Sequence, residues 1–247
     1  MTTTHDLLVA LETHSIDGIR AALDAGVNIH APINGKSVVT TLTELYYRSD
    51  AFAPCLQLLL DRGGTLDDPA LTSVLLDDGD ALAASIEANP ELLQYRITMV
   101  SAFTPLAGAT LLHVAAEYGH VIAARVLIDM GADVNAIAAV DEFGLNGHTP
   151  LFHTVNSNAN RSATVMQLLL DAGADVDARV AGITWGKGFD WETTCFDVTP
   201  ISYAQCGLYR QFQRTEEHTY ANIRVLLEAA GRVIPPLNNV PNRYLAS

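Results

Sequence analysis

Residues 108–136 read GATLLHVAAEYGHVIAARVLIDMGADVNA. Apolar side chains recur there at helical spacing in two short runs, the first broken by Gly119 and the second closed by Gly131. The pattern predicts a helix, a tight turn, a second helix and then a loop. Neither helix can bury its apolar stripe alone, so the unit needs copies of itself alongside. Ala115, Ala116, Ala123 and Ala124 are small, as suits helix pairs that must approach closely. Gly131 stands where a helix ends in left-handed backbone, which costs glycine little.

Copies are present. Residues 141–178, DEFGLNGHTPLFHTVNSNANRSATVMQLLLDAGADVDA, repeat the pattern, and residues 197–231 repeat it with an interruption. Upstream, HDLLVALETHSIDGIRAALDAGVNIHA and CLQLLLDRGGTLDD carry the second helix and its closing turn. LTSVLLDDGDALAASIEANPELL is a shorter copy that ends on Asn89-Pro90. Thr149 and Thr199 each precede a proline that suits a first helical turn, where a missing N–H costs nothing.

These motifs resemble ankyrin repeats. Thr110-Leu111-Leu112-His113, Thr149-Pro150-Leu151 and Thr199-Pro200-Ile201 match that family's T-P-L-H opening. Gly119-His120 matches its mid-repeat turn, and the Gly-Ala-Asp runs at 131–133 and 173–175 match its closing signature. The resemblance implies an all-α solenoid of about six helix pairs with β-hairpin-like fingers, forming a single domain over 1–247. Within it, 1–65 are capping repeats, 66–107 a degenerate repeat and 108–178 regular repeats. A long finger, an extended last repeat and a C-terminal cap fill 179–247. By the same resemblance His113 bonds neighbouring backbone. The groove-facing positions are Ala109, Glu117 and Tyr118, then His148, Asn156 and Ser157, then Val198, Cys206 and Gly207.

The repeat spacing breaks near the C-terminal end. Aligned leucines of successive second helices step from Leu127 to Leu169, 42 residues, and from Leu169 to Leu226, 57 residues, against a usual ~33. Much of the excess lies in the finger GITWGKGFDWETTCFDVTP, 182–200, which carries both tryptophans of the chain. Trp185, Phe189, Trp191, Phe196, Tyr203, Tyr209, Phe212 and Tyr220 crowd this part of the chain. Such a finger either folds back over the groove, caps the end of the stack as a small satellite core, or waits for a partner.

Composition narrows the partner. Lys and Arg total 14 against 28 Asp and Glu, a formal net charge of −14, and only Lys36 and Lys187 are lysines. That surface repels phosphate backbones and anionic lipid, so nucleic acid and membrane are disfavoured and a basic protein is expected. Three cysteines at unrelated spacings predict no disulfide framework and suit a reducing cytoplasm. The first residues, MTTTHDLLVALETHS, lack the basic segment of a secretory leader, which agrees with a cytoplasmic location.

Candidate chemistry is sparse. No C-x-x-C, H-x-E or H-E-x-x-H spacing occurs, so neither a metal nor a cofactor is expected. LDDGD at 76–80 reads as helix caps and GKG at 186–188 as no phosphate loop. Arg210 and Arg214 read either as an anion clamp or as ordinary surface pairs. The expected function is non-enzymatic recognition of a polypeptide, with an acidic inhibitor as one version. Its predicted contacts are Glu117, Tyr118, His148, Asn156 and Ser157 in the groove, Trp185, Phe189, Asp190, Trp191 and Glu192 in the finger, and Tyr209 and Arg210 beyond it. The alternative is an enzyme or small-molecule binder whose finger folds over the groove to close an aromatic pocket. Its polar groups would be His153, Asp190, Glu192, Tyr203 and Cys206.

Overall fold

Helix starts are written into the chain as side-chain caps. Thr3 opens α1 (Thr4–Glu12), Ser15 opens α2 (Ile16–Asp24) and Ser37 opens α3 (Val38–Glu44), each accepting a bond from an otherwise orphaned backbone N–H. Asp68 and Asp78 do the same for α5 (Pro69–Leu75) and α6 (Gly79–Ala88), so LDDGD supplies a cap. Its neighbour Asp77 accepts from the Ala123 N–H at 2.7 Å, tying that turn to the next helix pair. Thr199 and Ser202 form a reciprocal capping box at the start of α11 (Pro200–Cys206).

The computed structural model describes residues 3–101, 103–187, 190, 192–207 and 215–232. Among these, twelve α-helices follow one another, completed by α4 (Phe52–Asp61), α7 (Leu111–Tyr118), α8 (Val121–Asp129), α9 (Pro150–Thr154), α10 (Ala163–Asp171) and α12 (Glu216–Ala229). The helices pack in consecutive pairs, α1 on α2 through α11 on α12. First helices then stack on first helices, α5 to α7 to α9 to α11, and second helices on second, α6 to α8 to α10. One apolar core runs through the whole stack from Leu7 to Leu227. This is a helical repeat solenoid. No described helix is long and apolar enough to cross a membrane.

Two antiparallel ribbons qualify the all-α expectation. β3 (Val180–Trp185) pairs with β4 (Thr193–Val198), Val180 opposite Val198 and Trp185 opposite Thr193, so the long finger is a true hairpin. The other ribbon lies inside the weak stretch 66–107 and just beyond it. After the helix pair α5–α6 and a 3-10 turn at Pro90–Leu93, β1 (Arg96–Met99) pairs with β2 (Leu106–Thr110). Nothing in the repeat pattern announces those strands.

The fingers bond to one another in a row. Ala139 N–H donates to Ala107 O at 3.0 Å and Asn146 N–H to Gly182 O at 2.7 Å, while Gly147 N–H to Ala139 O at 3.2 Å closes the middle finger on itself. The row is tight enough to dictate residue type. A Cβ on Gly108, which has φ +58°, would lie 2.6 Å from the Ala139 Cβ, and one on Gly182 would lie 2.9 Å from Cys195 O.

Candidate functional site

The hairpin β3–β4 does not stand out into solvent where β3 reaches its turn. Trp185 is 3% exposed and stacks on Phe103 with ring centroids 5.4 Å apart. Gly186 N–H reaches Phe103 O at 3.4 Å. The end of β3 therefore returns to the loop between β1 and β2, two repeats away, and roofs the middle of the stack.

Beneath that roof runs a buried polar chain. Glu117, near the end of α7, accepts from His153 Nδ1 at 2.7 Å and from Ser101 Oγ at 3.4 Å. His153, on α9, meets His148 Nε2 with its own Nε2 at 3.1 Å, and His148 Nε2 also meets Pro105 O at 2.9 Å. A carbonyl can only accept, so His148 carries its proton on Nε2 and His153 carries its own on Nδ1. His113 Nε2 in turn donates to His148 O at 3.1 Å while its Nδ1 accepts from Thr110 N–H at 3.1 Å. Burial, first of all, holds His113 and His148 well below the usual histidine range.

This geometry separates the predicted enzyme set. Both nitrogens of His153 are engaged within the protein, one with Glu117 and one with His148. Tyr203 is fully buried, its hydroxyl 3.0 Å from Thr104 Oγ1. Cys206 faces Cys195 with sulfurs 3.5 Å apart. Asp190 and Glu192 are exposed in the turn that follows Trp185. Among the described residues, no three His, Cys, Asp or Glu side chains cluster as metal ligands.

The predicted polypeptide contacts are placed differently from the expectation. Glu117, Tyr118, His148 and Asn156 are buried, and Ser157 is half-buried. The Tyr118 hydroxyl donates to Thr43 O at 2.7 Å, and the Asn156 amide donates to Tyr203 O at 2.7 Å. The physical reason is a cover of several elements: Phe52 and Arg48 pack on Tyr118, α11 takes Asn156, and the loop between β1 and β2 reaches Glu117 through Ser101 and His148 through Pro105. Trp185 belongs to that cover. Phe189, Trp191, Tyr209 and Arg210, with Phe212 and Arg214, lie outside the described residues.

Two features escaped the sequence reading. One is a hollow of ≈ 20 Å3 under Trp185, lined by Arg48, Phe103, Glu117, His153 and Arg161 among others. That is room for about one water-sized group. Arg48 follows Tyr46-Tyr47 between α3 and α4, where only its odd position after two aromatics hinted at a role. The other is apolar exposure along the finger row. Phe143 is 77% and Phe196 70% exposed, and Ile137 and Val140 are also exposed. The signal for Phe143 was present in DEFGLNG, where an aromatic sits in a turn fixed by the Asp141 carboxylate.

The family model for ankyrin repeats (3 copies) matches residues 54–180, from α4 to the first residue of β3. It thus takes in the glycine-closed helix pairs and the groove beneath the hairpin. The chain belongs to the ankyrin-repeat family.

Proposed function

We propose that this protein is a non-enzymatic polypeptide-recognition module whose contact face is the row of fingers. Repeats of this family generally mediate protein–protein interaction. The observation that carries the reading is the apolar exposure of Ile137, Val140, Phe143 and Phe196 on bonded, mutually braced fingers, beside a groove whose middle is already filled. Exposed aromatics on a rigid scaffold lose little entropy when a partner covers them. Glu142, Asp190 and Glu192 are exposed on the same fingers, and with a net charge of −14 they suit a basic partner. We read the flanking pairs α1–α2 and α11–α12 as further repeats of one domain of six helix pairs.

The test is capture of partners by wild-type protein and by a Phe143→Asp, Phe196→Asp double variant. Both side chains are exposed, so the helical far-UV signal and melting temperature are expected to hold. A polypeptide retained by the wild type and lost by the variant, with affinity falling as salt rises, supports the proposal. A captured polypeptide that binds the variant equally well would remove the finger row as its contact face.

A further inference from the structure

Two of the three cysteines of the chain are brought together by different elements. Cys195 lies in β4 opposite Ile183 of β3, and Cys206 is the last residue of α11. Only Thr199 separates the strand from the helix, and its capping box with Ser202 fixes the helix start. Cys206 Sγ lies 3.5 Å from Cys195 Sγ and equally far from Ser202 O, one turn back in its own helix. Both cysteines are free thiols. Bond formation between them closes the sulfurs by about 1.5 Å, a shift on the scale of one side-chain rotation. Their exposure differs: Cys195 is half-buried, with exposed Phe196 beside it, whereas Cys206 is 7% exposed. The third cysteine, Cys55, is fully buried on α4.

We propose that Cys195 and Cys206 are an oxidation site for a peroxide, Cys195 reacting first and Cys206 resolving it to a disulfide that ties β4 to α11. The Cys195 thiolate attacks one oxygen of hydrogen peroxide. The O–O bond breaks, the departing oxygen takes up a proton and leaves as water, and Cys195 becomes a sulfenic acid. The Cys206 sulfur then attacks the Cys195 sulfur. The S–O bond breaks, and the hydroxyl leaves as a second water with the proton that Cys206 gives up. Two thiols and one peroxide thus yield one disulfide and two waters, with two electrons passed from sulfur to oxygen. Access assigns the roles, since peroxide reaches the half-buried sulfur before the buried one. The hydrogen bond that Cys206 donates agrees, because it favours the Cys195 thiolate and keeps Cys206 protonated. Once Cys195 is a sulfenic acid that negative charge is gone, and Cys206 is released to attack. Its sulfur is already in place, so the second step is intramolecular and outruns further oxidation of Cys195. Phe196 follows Cys195 directly, so the bond also fixes the strand that carries it. The site rests on the thiol pair and stands independently of the polypeptide face proposed above.

The test treats the reduced full chain with a small excess of hydrogen peroxide, then blocks remaining thiols with N-ethylmaleimide in denaturant and digests without reductant. Trypsin leaves both cysteines on one peptide, 188–210, which is expected two hydrogens lighter than its reduced form. Chymotryptic cleavage after Phe196 or Tyr203 should leave its halves joined, and dithiothreitol should part them. Cys55 should carry maleimide, and the protein should stay monomeric on a non-reducing gel. In Cys206→Ser, dimedone should trap a sulfenic acid at Cys195. In Cys195→Ser, oxidation of Cys206 should slow roughly tenfold or more, since a buried thiol is left to meet peroxide alone. If either variant does not fold, the position of the dimedone adduct in the wild type decides instead, and Cys195 is expected. Cys195 carried to sulfinic acid beside an untouched Cys206 would overturn the proposal. So would crosslinked dimers, a disulfide through Cys55, two unreacted thiols, a dimedone adduct on Cys206, or undiminished oxidation of Cys206 in Cys195→Ser.

Discussion

Cys195 and Cys206 face each other at 3.5 Å, yet their surroundings differ. Cys195 on β4 is half-buried, and the hydrogen bond from the Cys206 thiol, foremost, holds its own thiol below the usual range. Cys206 is buried on α11, and the bond it donates to Cys195, foremost, pushes it well up. Burial alone pushes fully buried Cys55 to about 11. Since the thiolate is the nucleophile, iodoacetamide at pH 8 should label Cys195 well before the other two, as read by peptide mass spectrometry. Equal labelling of Cys195 and Cys206 would mean that β4 lifts from α11 in solution. The sequence concealed this pair. Ten residues separate the two cysteines, a spacing with no motif value, and only a strand joined directly to a helix brings them face to face. His113 was more legible, because the T-P-L-H pattern fixes its place in the first helical turn and with it the backbone within its reach.

At the scale of elements, the hairpin β3–β4 is better described as a roof than as a probe. Trp185→Ala removes a buried ring that stacks on Phe103, and a large core truncation of this kind costs about 3–5 kcal/mol. Urea unfolding should show a correspondingly lower midpoint. An unchanged midpoint would mean that Trp185 is free in solution. The sequence disclosed that this finger is long and aromatic, but not which way its aromatics point. In a hairpin that choice belongs to the register, where a slip of one residue exchanges the two faces. The receiving surface was hidden as well, since Phe103 sits between strands that the 3.6-residue pattern of 66–107 does not reveal. Helix pairs such as α7–α8 were legible because each stripe, cap and glycine pointed to the same answer.

Across the whole molecule, the buried histidines make stability depend on mild acid. His120 titrates at about 4 when folded, chiefly because of burial, against 6.5 for the free side chain. Between those values the unfolded chain binds a proton that the folded chain refuses, so stability falls as pH drops through this window. The slope for that one group is about 1.4 kcal/mol per pH unit. Above pH 6.5 its contribution is fully present. His113 and His148 shift in the same direction. The urea midpoint should therefore be lower at pH 5.5 than at pH 7.5, before most carboxylates titrate. Equal midpoints would contradict the enclosure of these rings.

The return of Trp185 to Phe103 has a mechanical consequence. Tandem repeats ordinarily share load only with adjacent units, so a stack frays from its ends like a row of coins. Here the Trp185 stack and the Tyr203–Thr104 bond clasp the late repeats to the centre. Peeling away the chain from β3 onward would open a hole in the middle of the row rather than leave a blunt end. Such a clasp makes the centre and the C-terminal side give way together.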